Sequence, residues 1–202
     1  MVCVPVAGPW VAVPTGSGVP RPEVEYQLTC PRGYIVGGLD ARLSVRAIDV
    51  AFLAKLGSPV NPGVSTSRSA VFVASYVGGS ASSPSFKPFI GCMPATGGGA
   101  RVPTAAAAFP PGQPATRRVR TVRVRPGTVD VVQACTRRER LVDASHAFGF
   151  FTRTPPTSSL VASVTATQSV RGNRVVVSVR GDAEVGSVRV VVQVHAVCSR
   201  AA

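Results

Sequence analysis

The chain has 202 residues, of which 45% are hydrophobic and only 15% are charged. A chain of this length and apolar content can bury a substantial core, which excludes a disordered protein. The net charge is +13, and nearly all the positive charge is arginine. Such a surface favours polyanionic partners such as nucleic acid, glycans, wall polymers or acidic membranes, although a GC-rich genome also favours Arg over Lys.

Residues 1–19 are predicted to form an extended N-terminal arm rich in Val, Pro and Gly. Prolines break its apolar run and no basic segment precedes it, so it is not expected to be a signal peptide. Trp10 is a candidate assembly anchor, or a cap on the core of this chain. No run of 18 apolar residues occurs, so no transmembrane helix is predicted.

Residues 20–94 are predicted to form a first β module, because Val-rich segments alternate with Gly and Pro turns. The predicted strands are 23–30, 34–37, 41–53, 70–77 and 86–92. The alternation of apolar residues changes phase within 41–53, which predicts a bulge or turn near Arg46 and Ala47.

Residues 95–116 are predicted to be a linker rich in Pro, Gly and Ala, and residues 117–202 a second β module. The predicted strands are 119–125, 128–135, 140–151, 159–167, 174–180 and 187–198. The valine runs at 175–177 and 190–192 predict strands that are covered on both faces.

The cysteine spacing indicates that the second module repeats the first. Cys30 and Cys92 are 62 residues apart, and Cys135 and Cys198 are 63 apart. "RPEVEYQLTC" precedes Cys30, and "RPGTVDVVQAC" precedes Cys135. "YIVGGLDA" then aligns with "RLVDASHA" one residue later, which accounts for the difference of one.

All four of these cysteines fall on apolar strand faces, which favours two disulfides, Cys30–Cys92 and Cys135–Cys198. Buried free thiols and pairing across the modules remain alternatives. Cys3 is left over and is either free or linked to another chain. We therefore predict an all-β protein of two related antiparallel β-sandwich modules in tandem, jelly-roll or Ig-like, each closed by a disulfide.

The stretch "LTCPRGYIVGG", residues 28–38, resembles a chemical site but is interpreted as architecture. A phosphate-binding loop needs Lys and Ser or Thr after its glycines, and a dinucleotide fingerprint needs a following helix. Here a predicted strand follows Gly38. His146 and His195 are the two histidines and no C-x-x-C motif occurs, so neither a metal site nor a cofactor is expected.

No enzyme activity is expected from the sequence. "DASH", residues 143–146, contains the residue types of a catalytic triad, but Asp143 and Ser145 face one side of a strand and His146 the other. A nucleophile and its base must lie within hydrogen-bond reach, which this spacing does not provide.

The main candidate binding site is "RRVRTVRVR", residues 117–125, with five arginines: Arg117, Arg118, Arg120, Arg123 and Arg125. Guanidinium groups bind phosphate, sulfate or carboxylate in a bidentate manner. The alternative is an edge strand charged to prevent edge-to-edge aggregation.

The sequence as a whole favours a non-enzymatic structural or surface-binding protein located outside the bacterial cytoplasm, as a coat, appendage or wall-associated component. Self-association and other structural subunits are the expected partners, with the basic surface open to anionic polymers. One alternative is a virion structural protein, a capsid-decorating or tail component. Another is a secreted hydrolase that acts on an anionic polymer.

Overall fold

The computed structural model describes residues 3–16, 18, 20–53, 68–79, 83–95 and 115–200. These residues form an all-β protein with antiparallel sheets, which confirms the predicted class. The predicted linker, residues 95–116, lies outside the described residues except at its two ends.

Within the described residues the strands divide into an earlier and a later group. The earlier group is β1 (Val4–Ala7), β2 (Trp10–Ala12), β3 (Glu23–Thr29), β4 (Tyr34–Leu43), β5 (Ile48–Leu53), β6 (Ser69–Tyr76) and β7 (Ser85–Pro94). The later group is β8 (Ala115–Val124), β9 (Gly127–Ala134), β10 (Glu139–Phe150), β11 (Val164–Arg171), β12 (Arg174–Gly181) and β13 (Val190–Arg200). A short helix α1 (Ser158–Ala162) and a 3₁₀ turn (Ala183–Gly186) belong to the later group.

The described strands form one long sheet and two short sheets. The long sheet, called the central sheet below, runs in the order β4, β7, the β1–β2 segment, β10, β13 and β8. One short sheet has the order β3–β6–β5, and the other has the order β9–β12–β11. Every pairing is antiparallel.

The strand pairings of the first half recur in the second half. The corresponding elements are the β1–β2 segment and β8, β3 and β9, β4 and β10, β5 and β11, β6 and β12, and β7 and β13. The register repeats in detail: β4 skips one residue after Val36, which pairs with Cys92, and β10 skips one after Leu141, which pairs with Cys198. The second half is therefore built to the same plan as the first. The predicted alignment of "YIVGGLDA" with "RLVDASHA" is wrong by one residue, because Val36 corresponds to Leu141; the residue that makes the second cysteine spacing longer lies after β10, not before it.

Each half carries one disulfide that connects its short sheet to the central sheet. Cys30, directly after β3, is bonded to Cys92 in β7, and Cys135, directly after β9, is bonded to Cys198 in β13. The predicted pairing is thus confirmed. In "LTCPRGYIVGG", Gly33 has a φ of +81° in the turn between β3 and β4, a conformation that glycine adopts without strain.

Two apolar clusters fill the spaces between the sheets, one in each half. The residues from Val190 to Ala196 in β13 are all buried, as predicted for a strand covered on both faces. The same prediction is wrong for β12, because Val176 is only half-buried while Val175 and Val177 are fully buried. Only one face of β12 is covered.

The N-terminal arm is part of the central sheet rather than a free extension. Its β2 strand lies between β7 and β10, with Val11 paired to Phe86 on one side and Gly149 on the other. One sheet therefore passes through both halves, and the arrangement of two tandem, separately closed sandwiches is not confirmed.

The predicted strand at 159–167 is wrong in its first half. The Thr157 side chain accepts a hydrogen bond from the Leu160 amide (3.3 Å) and so caps helix α1, which ends before β11 begins at Val164. A hydroxyl at the N-cap satisfies an amide that the first turn of a helix leaves without a partner. Thr157 lies in the proline-rich segment "TPPTSS", residues 154–159, which leads into the predicted strand, and the strand prediction took no account of it as a helix cap.

We expect alkylation of the unfolded, unreduced protein to add one label, on Cys3, and alkylation after reduction to add five. Intact mass spectrometry measures both numbers. Equal labelling with and without reduction would contradict the two bridges.

Replacing Cys92 by Ala should lower the free energy of unfolding, measured in urea, by about 4 kcal/mol, the loop-entropy value for a bridge of this span.

Candidate functional site: the polar junction and the basic edge

A cluster of polar side chains lies where β3 crosses the face of β10, β13 and β8. Its members, called the polar junction below, are Glu25, Gln27, Arg117, Thr121, Ser145, Gln193 and His195. On β3 these positions alternate with Val24, Tyr26 and Leu28, which are buried in the first apolar cluster. The outer face of β3 is therefore polar because it meets the second half rather than its own core.

An ion pair occupies the centre of the polar junction. Arg117 donates through both terminal nitrogens to the two carboxylate oxygens of Glu25, one bond measuring 3.1 Å. The hydroxyl of Ser145 donates to the same carboxylate at 2.7 Å. This carboxylate from the first half thus holds two strands of the second half.

His195 is fully buried beside this ion pair, with 0% of its surface exposed. The side-chain oxygen of Gln193 accepts from the Gln27 amide (2.6 Å) and lies 2.7 Å from Nε2 of His195. Since that oxygen is an acceptor, Nε2 carries the proton and donates it. Nδ1 is then free to accept from Arg117 at 3.0 Å, so both ring nitrogens are satisfied in the neutral form.

The pKa values follow from this arrangement. Burial and the charge of Arg117 lower the pKa of His195 to about 4, although Glu25 acts in the opposite direction. Burial raises the pKa of Glu25, but hydrogen bonds from Arg117 and Ser145 and the charge of Arg117 outweigh it, and the pKa is lowered. At neutral pH the cluster holds a charged pair and a neutral imidazole.

Serine, histidine and glutamate meet here, but their hydrogen bonds are not those of a catalytic triad. Ser145 donates to Glu25, and both nitrogens of His195 are engaged by Gln193 and Arg117. A triad needs the hydroxyl hydrogen-bonded to the imidazole, and the imidazole held by the carboxylate. The arrangement in the polar junction instead joins strands.

The five arginines of the basic run divide between structural and exposed positions. Arg118 forms an ion pair with Glu139, with bonds of 2.9 and 3.0 Å, on the face of β8 opposite to Arg117. Arg120 is exposed and donates to the Val132 carbonyl at 3.2 Å. Arg123 is also exposed.

Arg125 is exposed and follows directly on the end of β8. Within the described residues β8 is the edge strand of the central sheet, and no ion pair engages Arg120, Arg123 or Arg125. We call these three residues the basic edge.

The two assembly candidates of the arm occupy different environments. Trp10 is 1% exposed, with the Arg42 guanidinium 5.8 Å from the ring centre. Cys3 is exposed and is the free cysteine among the described residues. The indole thus lies in the interior, and the thiol faces outward.

A cleft of about 470 Å³ opens where the arm meets the second half. Its walls include Val13, Pro14, Pro84, His146 and Phe148. Nδ1 of His146 lies 2.8 Å from the side-chain oxygen of Gln168. The lining is mainly apolar, and no group of three or more potential metal ligands occurs in the described part of the chain.

No described helix is long and apolar enough to cross a membrane. No protein-family model, curated protein or solved structure matches this chain. The function is therefore inferred from the geometry of the molecule itself.

Sequence reasoning missed the polar junction, although a signal for it was present. Gln193 and His195 interrupt the run "VRVVVQVHAV" on one face of a strand that is otherwise apolar. Polar residues at buried positions need partners. Glu25 and Gln27, which alternate with the apolar residues of β3, face these positions from the other half.

We expect the protein to lose stability as the pH falls from 6.5 towards 4. In this range the unfolded chain binds a proton at His195 that the folded chain does not, so the free energy of unfolding is highest above pH 6.5 and declines below it. The interval from 6.5 to about 4 corresponds to a loss of about 3 kcal/mol. Glu25 adds to the loss only as the pH falls below its ordinary value of 4.5.

Urea unfolding at several pH values measures this slope. His195→Gln should flatten it between pH 6.5 and 4.5, while the matched variant His146→Gln, which lies outside the polar junction, should keep it. A wild-type protein equally stable at pH 7 and pH 4.5 would show that the assigned state of His195 is wrong.

Proposed function

We propose that this protein is a non-enzymatic structural building block that assembles outside the bacterial cytoplasm, as a coat, appendage or wall-associated component. Its unit is a pair of related sandwich-like modules in tandem. The observation that carries the proposal is the central sheet, which passes through both halves because β2 pairs with β7 and β10 together. A shared sheet of this kind joins the two halves into one unit rather than two hinged domains.

The chemistry of the polar junction supports this proposal over catalysis. Its charged and nucleophilic groups are engaged with one another between strands, and His195 is inaccessible. An enzyme site needs such groups directed at a space where substrate can bind. The hydrolase alternative draws no support from this cluster.

The two disulfides support a location in an oxidising compartment. Bridges of this kind persist in secreted and surface proteins and are rare in the reducing cytosol. A virion component is the alternative, and its bridges would close only after release from the cell. Cysteine labelling of protein taken directly from producing cells distinguishes the two.

Purified protein is expected to form assemblies larger than one chain as its concentration rises. Size-exclusion chromatography with light scattering measures the mass, and negative-stain microscopy shows the form. A strict monomer over the whole range of concentration and salt would refute the structural proposal.

The basic edge is proposed as the surface for anionic polymers. Replacing Arg120, Arg123 and Arg125 by Ser should lower the salt concentration at which the protein elutes from heparin, since fewer guanidinium groups then displace counterions. The matched variant removes three exposed arginines elsewhere, Arg153, Arg171 and Arg174, at the same cost in net charge. Equal shifts for the two variants would mean that charge alone, and not the basic edge, governs binding.

A further inference from the structure

We infer that copies of this chain join head to tail, the free edge of β4 in one copy pairing with the free edge of β8 in the next. This contact repeats between molecules the junction that β10 and β2 form within one molecule. The inference rests on the proposed structural function and names the surfaces through which assembly proceeds.

The internal junction is the template for this contact. Gly149 and Phe150 of β10 pair with Val11 and Trp10 of β2. In the repeated plan β10 corresponds to β4, and the β1–β2 segment corresponds to β8. Within one molecule, the outer strand β10 of the second half thus pairs with the β1–β2 segment that begins the first half.

The register locates the corresponding residues on the two outer strands. Val11 pairs with Phe86 of β7, and Val122 pairs with Val192 at the matching position of β13. The skipped residues of β4 and β10 lie 105 positions apart, so Gly149 corresponds to Ser44. The contact between molecules would therefore centre on Ser44 of one copy and Val122 of the next.

Both outer strands offer the edge that such a contact needs. Among the described residues, β4 pairs with β7 alone and β8 pairs with β13 alone, and each is ten residues long. In the register given above the two strands overlap at their ends, where Leu43 would lie opposite Arg123 and Arg42 opposite Val124, just as β10 and β2 overlap at two residue pairs within one molecule. The unpaired amide and carbonyl groups at these ends are ones that a second strand can satisfy. Charge on an edge strand also disfavours pairing, and on β8 it acts most strongly against a second, equally basic β8 edge.

The direction of the amides identifies which residues act at the free edge of β4. The Ser44 amide donates to the Ser85 carbonyl on β7 at 2.9 Å. Because successive residues of an antiparallel strand direct their amides to opposite sides, the amide of Leu43 points to the free edge. The Leu43 side chain is 37% exposed and lies outside both apolar clusters.

The same reasoning applies to β8. The Phe151 amide donates to the Arg189 carbonyl at 2.9 Å, which directs the amides of Val190 and Val192 away from β10 and towards β8. Val192 and Val122 then exchange hydrogen bonds, and the amide of Arg123 points to the free edge.

Charge disfavours contact between two β8 edges. Five arginines lie on or directly beside β8, so two β8 strands side by side would place like charges opposite one another, which is destabilising. The exposed residues of β4 include Asp40 and Arg42, whose opposite charges cancel, so β4 repels β8 less than a second β8 would. A contact between two different surfaces propagates into a filament or closes into a ring.

Proline at an outward-pointing amide blocks an edge without removing a hydrogen bond of the folded chain. Leu43→Pro should block the β4 edge, and Arg123→Pro should block the β8 edge. We expect each variant alone to have the mass of one chain, and an equimolar mixture to give a dimer through the two intact edges. Light scattering after size exclusion measures these masses.

Two matched variants serve as controls. Val170→Pro places proline at an exposed position on the outer edge of β11, outside the proposed contact, and should assemble like the wild type. Arg123→Ala removes the charge but keeps the amide, and should also assemble. Circular dichroism and thermal unfolding of all four variants establish that the proline chains are folded.

A cysteine pair tests the register independently of the prolines. In a Cys3→Ser background, a Ser44→Cys chain mixed with a Val122→Cys chain should form a disulfide-linked dimer under mild oxidation. Either chain alone, or Ser44→Cys mixed with Val170→Cys, should give at least tenfold less.

The outcomes separate this inference from the proposed function. If the wild type assembles, but both edge prolines assemble equally well and no cross-link forms, the edges are wrong and the structural function stands. Dimers of Leu43→Pro alone would indicate contact between two β8 edges and would overturn the head-to-tail arrangement. A wild type that never assembles overturns both.

Discussion

The fold depends on one requirement, the burial of β13 on both faces. The side chains from Val190 to Ala196 are inaccessible without exception, so apolar and polar neighbours must cover this strand from two directions. The β9–β12–β11 sheet covers one face, and β3 from the other half covers the second. The two halves are thus held together because β3 of the first half covers the face of β13 that its own half leaves open.

The polar junction is a consequence of the same requirement. Valine can be covered by any apolar surface, but Gln193 and His195 lie on the face that meets β3 and need specific partners. Glu25 and Arg117 supply charges that neutralise one another, and their bonds to Ser145 and His195 fix the position of β3 over three strands. Polar groups at this interface select one register between the halves, whereas an apolar contact would tolerate sliding.

Local patterns predicted much of this structure, and contacts between distant segments account for the rest. Alternating apolar residues located most strands, the phase change near Arg46 located a turn, and duplicated spacing gave both disulfides. The central place of β2 was not predictable, because the four residues between Gly8-Pro9 and Pro14 show no pattern that identifies the strands they pair with. The basic run was identified, but its division into paired and exposed arginines depends on Glu25 and Glu139, which lie on other strands.

The position of β2 also governs the order in which the chain can fold. Each disulfide closes within its own half, but β2 completes its hydrogen bonds only when Gly149 and Phe150 are present, nearly 140 residues along the chain. Contacts of such long sequence separation form late, since a large loop must close before they contribute. Until the second half has folded, the edge of β2 that will pair with β10 stays exposed in the first half. An unpaired strand edge of this kind is where a chaperone or another copy of the chain can bind.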